Sequence, residues 1–193
     1  MMKSAALSLV PLFVMAGSAF AQPTDPLPRY ERAGPAFACH TDKEDFEKSQ
    51  AEKRDVCLRI GPLHVGMPRA DVEALLGKPF TSVPVSGNTA FAYMLMKDEA
   101  TKRSAYTVLI YDQDSRAESV QVTGDMFLGA SGPWQFSGLA LGMPQDAVTA
   151  RLGEPMAITR SEDPGAMEWS YRPWTFSFEV KGGVISSIRL AAH

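Results

Sequence analysis

The apolar positions of the chain change their spacing along the sequence, and they do so in the same way in two segments. Around Val72 and again around Val148, apolar residues recur about every 3.6 positions, which is typical of short helices. After each of these stretches, apolar and polar residues alternate, which is typical of strands with one buried face. The pattern therefore predicts short helices followed by strands, twice over.

Proline and glycine set the limits of the predicted elements. The helices are predicted over 68–76 and 144–152, because a proline suits the first helical position and a glycine follows each last residue. Gly77 and Gly153 are predicted to adopt left-handed conformations that glycine tolerates. Three strands are predicted after each helix, over 90–96, 105–111 and 118–123 in the first copy and over 167–171, 175–180 and 184–190 in the second.

A sequence repeat underlies this organisation. Residues 63–68 return as residues 139–144 with an offset of 76 positions, and both contain Gly-Met-Pro. The strand segment 106–110 is aligned with 174–178. The repeat predicts an α+β fold of two tandem units, each a short helix plus a three-stranded antiparallel meander, with the two sheets side by side.

The repeated string resembles a known family of envelope proteins. Gly-Met-Pro-x-x-x-Val-x-x-x-Leu-Gly-x-Pro, followed by an aromatic strand and a meander, is similar to the SmpA/OmlA domain of outer-membrane-assembly lipoproteins. The tandem pair also resembles the fold of the β-lactamase inhibitor protein. The resemblance covers residues 63–190 and implies one concave sheet surface and binding of another protein. Two departures are the missing lipid-anchoring cysteine and the single cysteine pair ahead of the first repeat.

The N-terminus predicts export. Lys3 precedes an apolar run, and the small residues Ala19 and Ala21 fit a signal-peptidase site, so 1–21 is a predicted signal peptide and the mature chain begins at Gln22. The alternative, a membrane anchor, needs a longer apolar run to span about 30 Å of hydrocarbon. We therefore expect a periplasmic or secreted protein without stable membrane insertion.

Composition narrows the classes of partner and sets the domain plan. The chain has 19 Lys plus Arg against 22 Asp plus Glu, a net charge of −3, and no basic cluster stands out, so no nucleic-acid partner is expected. An N-terminal extension over 22–60 is followed by the first repeat (61–124), a linker (125–138) and the second repeat (139–193).

The two cysteines, Cys39 and Cys57, predict one disulfide in an oxidising compartment. The residues between them, 42–54, are charged and rich in helix formers, with Thr41 as a candidate N-cap. We therefore expect a disulfide-closed helix that covers one end of the fold. The alternative is a reactive or metal-binding thiol pair beside His40.

Motifs for catalysis are missing from the sequence. No nucleophile elbow, HExxH or phosphate-binding glycine loop occurs, and the three histidines lie apart, so neither a metal, a cofactor nor an enzymatic activity is expected. Asp112, Asp114 and Glu118 have some likeness to a calcium loop, and the alternative is a solvated hairpin turn.

Aromatic residues concentrate in the second repeat and supply the candidate binding residues. These are Trp169, Tyr171 and Trp174, with Trp134 and Tyr93 at the margins. Tryptophan and tyrosine are enriched in interface hot spots, which favours an anchoring patch on the open sheet face of the second repeat. Trp169 and Tyr171 share parity on one strand, so they are exposed together or buried together; if they are buried, their role is packing.

The sequence therefore predicts a non-catalytic protein-binding module of the cell envelope. It is either an assembly or accessory factor, or an inhibitor of a periplasmic enzyme. A small-ligand or lipid-fragment carrier and an enzyme without a recognisable motif are the alternatives. An apolar pocket closed at both ends would favour the carrier, and convergent polar groups with shifted pKa values in a cleft would favour the enzyme. The sequence leaves the partner and the oligomeric state open.

Overall fold

The computed structural model describes residues 29–33, 36–41, 44, 47–48, 55–129 and 132–192. The expected signal peptide, and most of the helix expected over 42–54, lie outside the described residues. Glu44, Glu47 and Lys48, which belong to that segment, are helical. No helix among the described residues is both long enough and apolar enough to cross a membrane.

The expected α+β class is wrong, because the fold is mostly β, with 48% strand and 13% helix. The described elements are strands β1 (Arg29–Ala33), β2 (Ala36–His40), β3 (Arg59–Ile60), β4 (Leu63–His64), β5 (Thr81–Val85), β6 (Asn88–Lys97), β7 (Ser104–Tyr111), β8 (Ala117–Gly124), β9 (Ala157–Arg160), β10 (Ala166–Ser170), β11 (Phe176–Lys181) and β12 (Val184–Ala191), and helices α1 (Arg69–Leu76) and α2 (Gln145–Leu152).

One continuous antiparallel sheet replaces the two three-stranded meanders that we expected. Its strand order is β5-β6-β7-β8-β12-β11-β10-β9, so each half of the chain supplies four strands and the halves join where β8 pairs with β12. We call residues 59–124 the first half and residues 139–191 the second half. The two strands of this sheet that sequence reasoning missed, β5 and β9, are the outermost ones. Every residue in them is exposed, so neither has the alternation of buried and exposed positions that marks a strand.

The two helices begin and end 76 residues apart, within one residue of the predicted limits. Pro68 and Pro144 are their N-caps. Gly77 has φ +79° and ψ −164°, and Gly153 has φ +74° and ψ −171°. The positive φ is as predicted, but ψ lies near 180° and not in the left-handed helical range. That region of backbone space is accessible essentially to glycine alone.

The repeated Gly-Met-Pro string joins the start of each helix to the last strand of its half. Gly66 N–H donates to Ala117 O (2.7 Å), and Ala117 N–H donates to Met67 O (2.9 Å). In the second half, Gly142 N–H donates to Ile185 O (2.8 Å). The string therefore has a structural role in closing each half.

The β1–β2 hairpin, which sequence reasoning missed, covers part of the second half. Tyr30 and Phe37 are buried, and each has an aromatic contact with Phe176, at centroid distances of 5.3 and 5.4 Å. The predicted disulfide between Cys39 and Cys57 is confirmed, with a Cα–Cα distance of 5.7 Å. The disulfide therefore ties the end of the hairpin to the main core.

The alignment of 106–110 with 174–178 is shifted by one residue. Leu109 pairs with Val120 on β8, and Phe178 pairs with Ile188 on β12. Because the dipeptide 119–120 (Ser-Val) corresponds in sequence to 187–188 (Ser-Ile), these two pairs are equivalent. Leu109 is therefore the counterpart of Phe178, and Val108 is the counterpart of Ser177. A shift of one residue moves every side chain to the other face of the sheet.

Candidate functional site

The eight-stranded sheet has one covered and one open face. The covered face carries the buried core, to which α1, α2 and the β1–β2 hairpin contribute Val72, Val148, Leu152, Tyr30 and Phe37. The open face is the opposite one, and three rows of directly paired residues run across it. These rows are Thr159-Glu168-Glu179-Ser187-Thr123-Tyr106-Met94, Ala157-Ser170-Ser177-Arg189-Gln121-Val108-Ala92-Thr81 and Ala191-Ser119-Ile110-Ala90-Val83.

The open face of the first half is apolar. Tyr106, Val108 and Ile110 of β7 are half-buried in its centre, and Met94 and Val83 beside them are 40% and 50% exposed. The exposed Phe80 ring meets the Tyr106 ring edge-on at 6.2 Å. These side chains form a contiguous group, which we call the apolar patch and define as Phe80, Val83, Val85, Met94, Tyr106, Val108 and Ile110.

The open face of the second half is polar. Glu168 and Glu179 lie directly opposite each other on β10 and β11. Ser161 Oγ donates a hydrogen bond to Glu179. Gln121 Nε2 donates to Ser187 Oγ at 2.8 Å, across the junction of the halves.

Two adjoining grooves follow the open face, with volumes of about 650 and 880 Å³. The smaller groove is lined both by Val85 at the end of β5 and by Arg160 at the end of β9. These are the outermost strands at opposite edges, so the sheet curls and the open face is concave. Gln121 and Glu179 line both grooves, which makes the concave surface continuous.

The five aromatic residues proposed from the sequence do not line these grooves. Tyr93 and Tyr171 are fully buried, Trp169 is 8% exposed, and Trp134 and Trp174 are half-buried against the core. Trp169 and Tyr171 are buried together, as their shared parity requires, so both have packing roles. Trp169 pairs with Phe178, so the aromatic alternation of β10 and β11 faces the covered side.

Three tyrosines have shifted pKa values, and all three serve the packing of the covered side. Burial raises the pKa of Tyr30, and its hydrogen bond to Asp55 raises it further. Burial likewise raises the pKa of Tyr111, whose hydroxyl lies 3.0 Å from that of Tyr93. Burial also raises the pKa of Tyr171, which donates to Gly153 O at 2.9 Å. All three phenols stay protonated; Tyr30 and Tyr171 donate hydrogen bonds, and Tyr111 shares one with Tyr93.

In both candidate metal sites, side chains that could be ligands are engaged in other bonds. Cys39, Asp55 and Cys57 bring ligand atoms within 4.8 Å of one another, but the two sulfur atoms are joined in the disulfide and offer no thiolate. In the other site, Asp112 Oδ1 accepts hydrogen bonds from the N–H groups of Asp114 (2.9 Å) and Arg116 (2.8 Å). This carboxylate closes the β7–β8 hairpin turn, as expected of an aspartate in a turn.

Comparison with known proteins adds a family match for part of the first half. Residues 59–121 match the family model of the outer membrane protein assembly factor BamE domain. The matched segment runs from β3 into β8 and includes α1 and the apolar patch. No curated protein matches the chain.

Two solved structures are similar to the chain at 14% sequence identity. The DUF4309 family protein YjgB from Bacillus subtilis has a TM-score of 0.45, with 70% of this chain and 82% of that chain covered. A Streptococcus mutans protein, provisionally assigned as a β-lactamase inhibitor protein, has a TM-score of 0.24, with 77% and 96% covered. Both TM-scores are below 0.5, so neither structure supports an inference about this chain. The similarity to a known family therefore rests on residues 59–121 alone.

Proposed function

We propose that the protein is exported to the cell envelope and acts there as a non-catalytic module that binds another protein through the open face of its sheet. The observation that carries this proposal is the apolar patch, a contiguous group of exposed and half-exposed apolar side chains on a concave surface. Exposed apolar patches of this kind are typical of interaction sites. The patch lies within the segment that matches the BamE domain.

An assembly or accessory role is the form of this function that we favour. The matched domain is that of an outer membrane protein assembly factor, so an envelope protein is the expected class of partner. Inhibition of a periplasmic enzyme is the form with less support. The solved structure that suggests it has a TM-score of 0.24.

The arrangement of polar groups argues against the carrier and the enzyme. A carrier needs an enclosed apolar pocket, whereas the smaller groove is lined by Gln121, Ser177, Glu179 and Arg189 together with apolar residues. Catalysis needs polar groups of shifted pKa that converge in a cleft. Among the described residues with shifted pKa values, Tyr30, Tyr111 and Tyr171 serve packing on the covered side. The shifts of Arg69 and Asp98 arise from local hydrogen bonds to Glu73 and to Thr101, respectively.

The test is affinity capture from an envelope extract with a matched pair of variants. Val108→Asp places a charge in the centre of the apolar patch, and Ile158→Asp places one on the exposed edge strand β9, facing the covered side. We expect Val108→Asp to reduce capture at least tenfold and Ile158→Asp to leave it unchanged. Unfolding temperatures of both variants control for lost structure. Equal capture by the two variants would contradict the proposal.

A further inference from the structure

We infer that the open face binds a partner segment with one basic and one apolar side chain, and that Glu168 and Glu179 bind the basic group. This inference rests on the proposed function, because it names the chemistry of the protein segment that the open face would bind.

The two glutamates are held close together without a cation. Directly paired residues of antiparallel strands have Cβ atoms about 4.5–5.5 Å apart, and Glu168 and Glu179 are such a pair. The hydrogen bond from Ser161 Oγ holds the Glu179 carboxylate in place. Among the described residues, ion pairs such as Lys181–Asp163 and Lys97–Glu99 form elsewhere, and neither glutamate takes part in one.

The groove around the pair has an excess of negative charge. It is lined by twice as many carboxylates as guanidinium groups, namely Glu118, Glu162, Glu168 and Glu179 against Arg160 and Arg189. Charged groups across an interface are arranged so that their potentials are complementary. A cationic group on the partner therefore fits this end of the open face better than an anionic or a neutral one.

The apolar patch begins in the same cross-strand row as the glutamates. From Glu179 the row passes through Ser187 and Thr123 to Tyr106, which is three strand spacings away. Strands lie about 4.8 Å apart, so the separation is roughly 14 Å along the sheet. An extended partner segment covers about 3.3 Å per residue, so its basic and apolar side chains would be about four residues apart.

We expect the paired glutamates to destabilise the free protein. Like charges placed directly opposite each other on neighbouring strands destabilise a sheet. Local features that disagree with the requirements of folding are expected at functional sites. A bound guanidinium or ammonium group would remove the repulsion, so the pair should cost stability in the free protein and contribute affinity in the complex.

The test uses short synthetic peptides that differ in one residue. Each carries a leucine four residues from a variable position, which is arginine, its neutral analogue citrulline, or glutamate. We expect the arginine peptide to bind at least tenfold more tightly than the citrulline peptide, with the glutamate peptide weakest. Raising the salt concentration should narrow these differences, because exposed charges are screened.

Glu168→Gln separates a binding role from a purely structural one. We expect it to remove most of the preference for arginine and to raise the unfolding temperature of the free protein by about 1–3 °C, because the repulsion is lost. Asp114→Asn, which removes a carboxylate from the exposed β7–β8 turn, is the control and should leave the preference unchanged.

The outcomes also separate this inference from the proposed function. Equal affinity for the arginine and citrulline peptides would overturn the inference, and so would binding of none of the peptides. Neither result tests the proposed function, because the Val108→Asp capture experiment that tests it does not depend on the glutamates. Tighter binding of a fatty-acyl chain than of the arginine peptide would overturn the inference in favour of a carrier.

Discussion

The two halves of the sheet place opposite chemistry at equivalent positions. On β7, Val108 and Ile110 face the open side, whereas their counterparts on β11 are Ser177 and Glu179. On the covered side the order is reversed, because Thr107 of β7 corresponds to Phe176 of β11. The second half therefore directs its large apolar side chains into the core, and the first half displays apolar side chains on the open face. Under the proposed function, the apolar side chains of the first half serve recognition and those of the second half serve packing.

The covered side of the second half is reinforced by an aromatic cluster. Tyr171, Phe176 and Phe37 lie within 5.8 Å of one another by ring centroids, and Phe136 lies 5.1 Å from Phe176. Aromatic pairs of this kind contribute about 0.5–1.5 kcal/mol beyond the burial of their area. We therefore expect the second half to be the more sensitive to changes on the covered side.

Removing an aromatic ring should lower the free energy of unfolding more on the covered face than on the open face. Tyr171→Ala removes a fully buried ring and its hydrogen bond to Gly153, so we expect a loss of about 3–5 kcal/mol in the free energy of unfolding. Tyr106→Ala removes a half-buried ring from the open face and should cost about 1 kcal/mol or less. Urea denaturation of both variants gives the two values. Similar losses would show that the two faces contribute equally to stability.

Removing the disulfide tests how much the β1–β2 hairpin contributes to the stability of the second half. Cys39 and Cys57 are 18 residues apart, and closing a loop of this size stabilises by about 3 kcal/mol in the chain-entropy model. Replacing both cysteines with serine should lower the free energy of unfolding by that amount. Near-ultraviolet circular dichroism should weaken because Tyr30 and Phe37 are less firmly held. An unchanged unfolding temperature would mean that the hairpin contributes little.

The two glycines after the helices provide a matched comparison of the halves. Gly77→Ala forces a side chain into strained backbone, which costs about 1–3 kcal/mol, and an added Cβ there meets no neighbour within 4 Å. Gly153→Ala has the same strain, and its Cβ also collides with the Arg32 side chain. Arg32 Nη1 donates to Leu152 O at 3.0 Å, so it is not free to move without losing that bond.

Thermal denaturation should therefore show a larger decrease in the unfolding temperature for Gly153→Ala than for Gly77→Ala. Adding Arg32→Ala to the Gly153→Ala protein removes the collision, so the cost of Gly153→Ala should fall towards that of Gly77→Ala in a double-mutant cycle. The same cost in both backgrounds would be evidence against the collision.

A loss of stability is also expected at alkaline pH, and it is absent near neutral pH. Burial raises the pKa of Tyr30, Tyr111 and Tyr171 above the unfolded value of about 10, so the folded state keeps protons that the unfolded state loses. This contribution is fully present below about pH 10 and is lost as the pH rises above it. The limit is about 1.4 kcal/mol per pH unit for each tyrosine.

Denaturation at several pH values above 9 measures the slope of the free energy of unfolding against pH. Tyr171→Phe should reduce it more than Tyr111→Phe, because Tyr111 is only half-buried and solvent screens its hydroxyl. Equal reductions would mean that the two hydroxyls are equally shielded.

The positions of the helices and the disulfide could be predicted from the sequence because their signals are local. Proline at 68 and 144, glycine at 77 and 153, and an even number of cysteines each restrict the chain by their own chemistry. The outermost strands could not be predicted, since β5 and β9 are exposed along their whole length and have no period.

The candidate site could not be predicted because β7 is apolar on both faces. Residues 104–111 read Ser-Ala-Tyr-Thr-Val-Leu-Ile-Tyr, and Val108 and Leu109 are equally plausible core residues in the sequence. Only pairing with β8 assigns Leu109 to the covered side and Val108 to the open one. The aromatic residues of the second half were the stronger indication of a binding site in the sequence, but these side chains are buried in the core of that half.

The most direct test of the account is photo-crosslinking from matched positions in intact cells of the source organism. Val83 and Ile158 are aliphatic, lie on the outermost strands β5 and β9, and are each 50% exposed, but Val83 faces the open side and Ile158 the covered side. A crosslinking residue at position 83 should give a defined adduct with an envelope protein, and one at position 158 should give none. Adducts from position 158 alone would contradict the assignment of recognition to the open face of the first half.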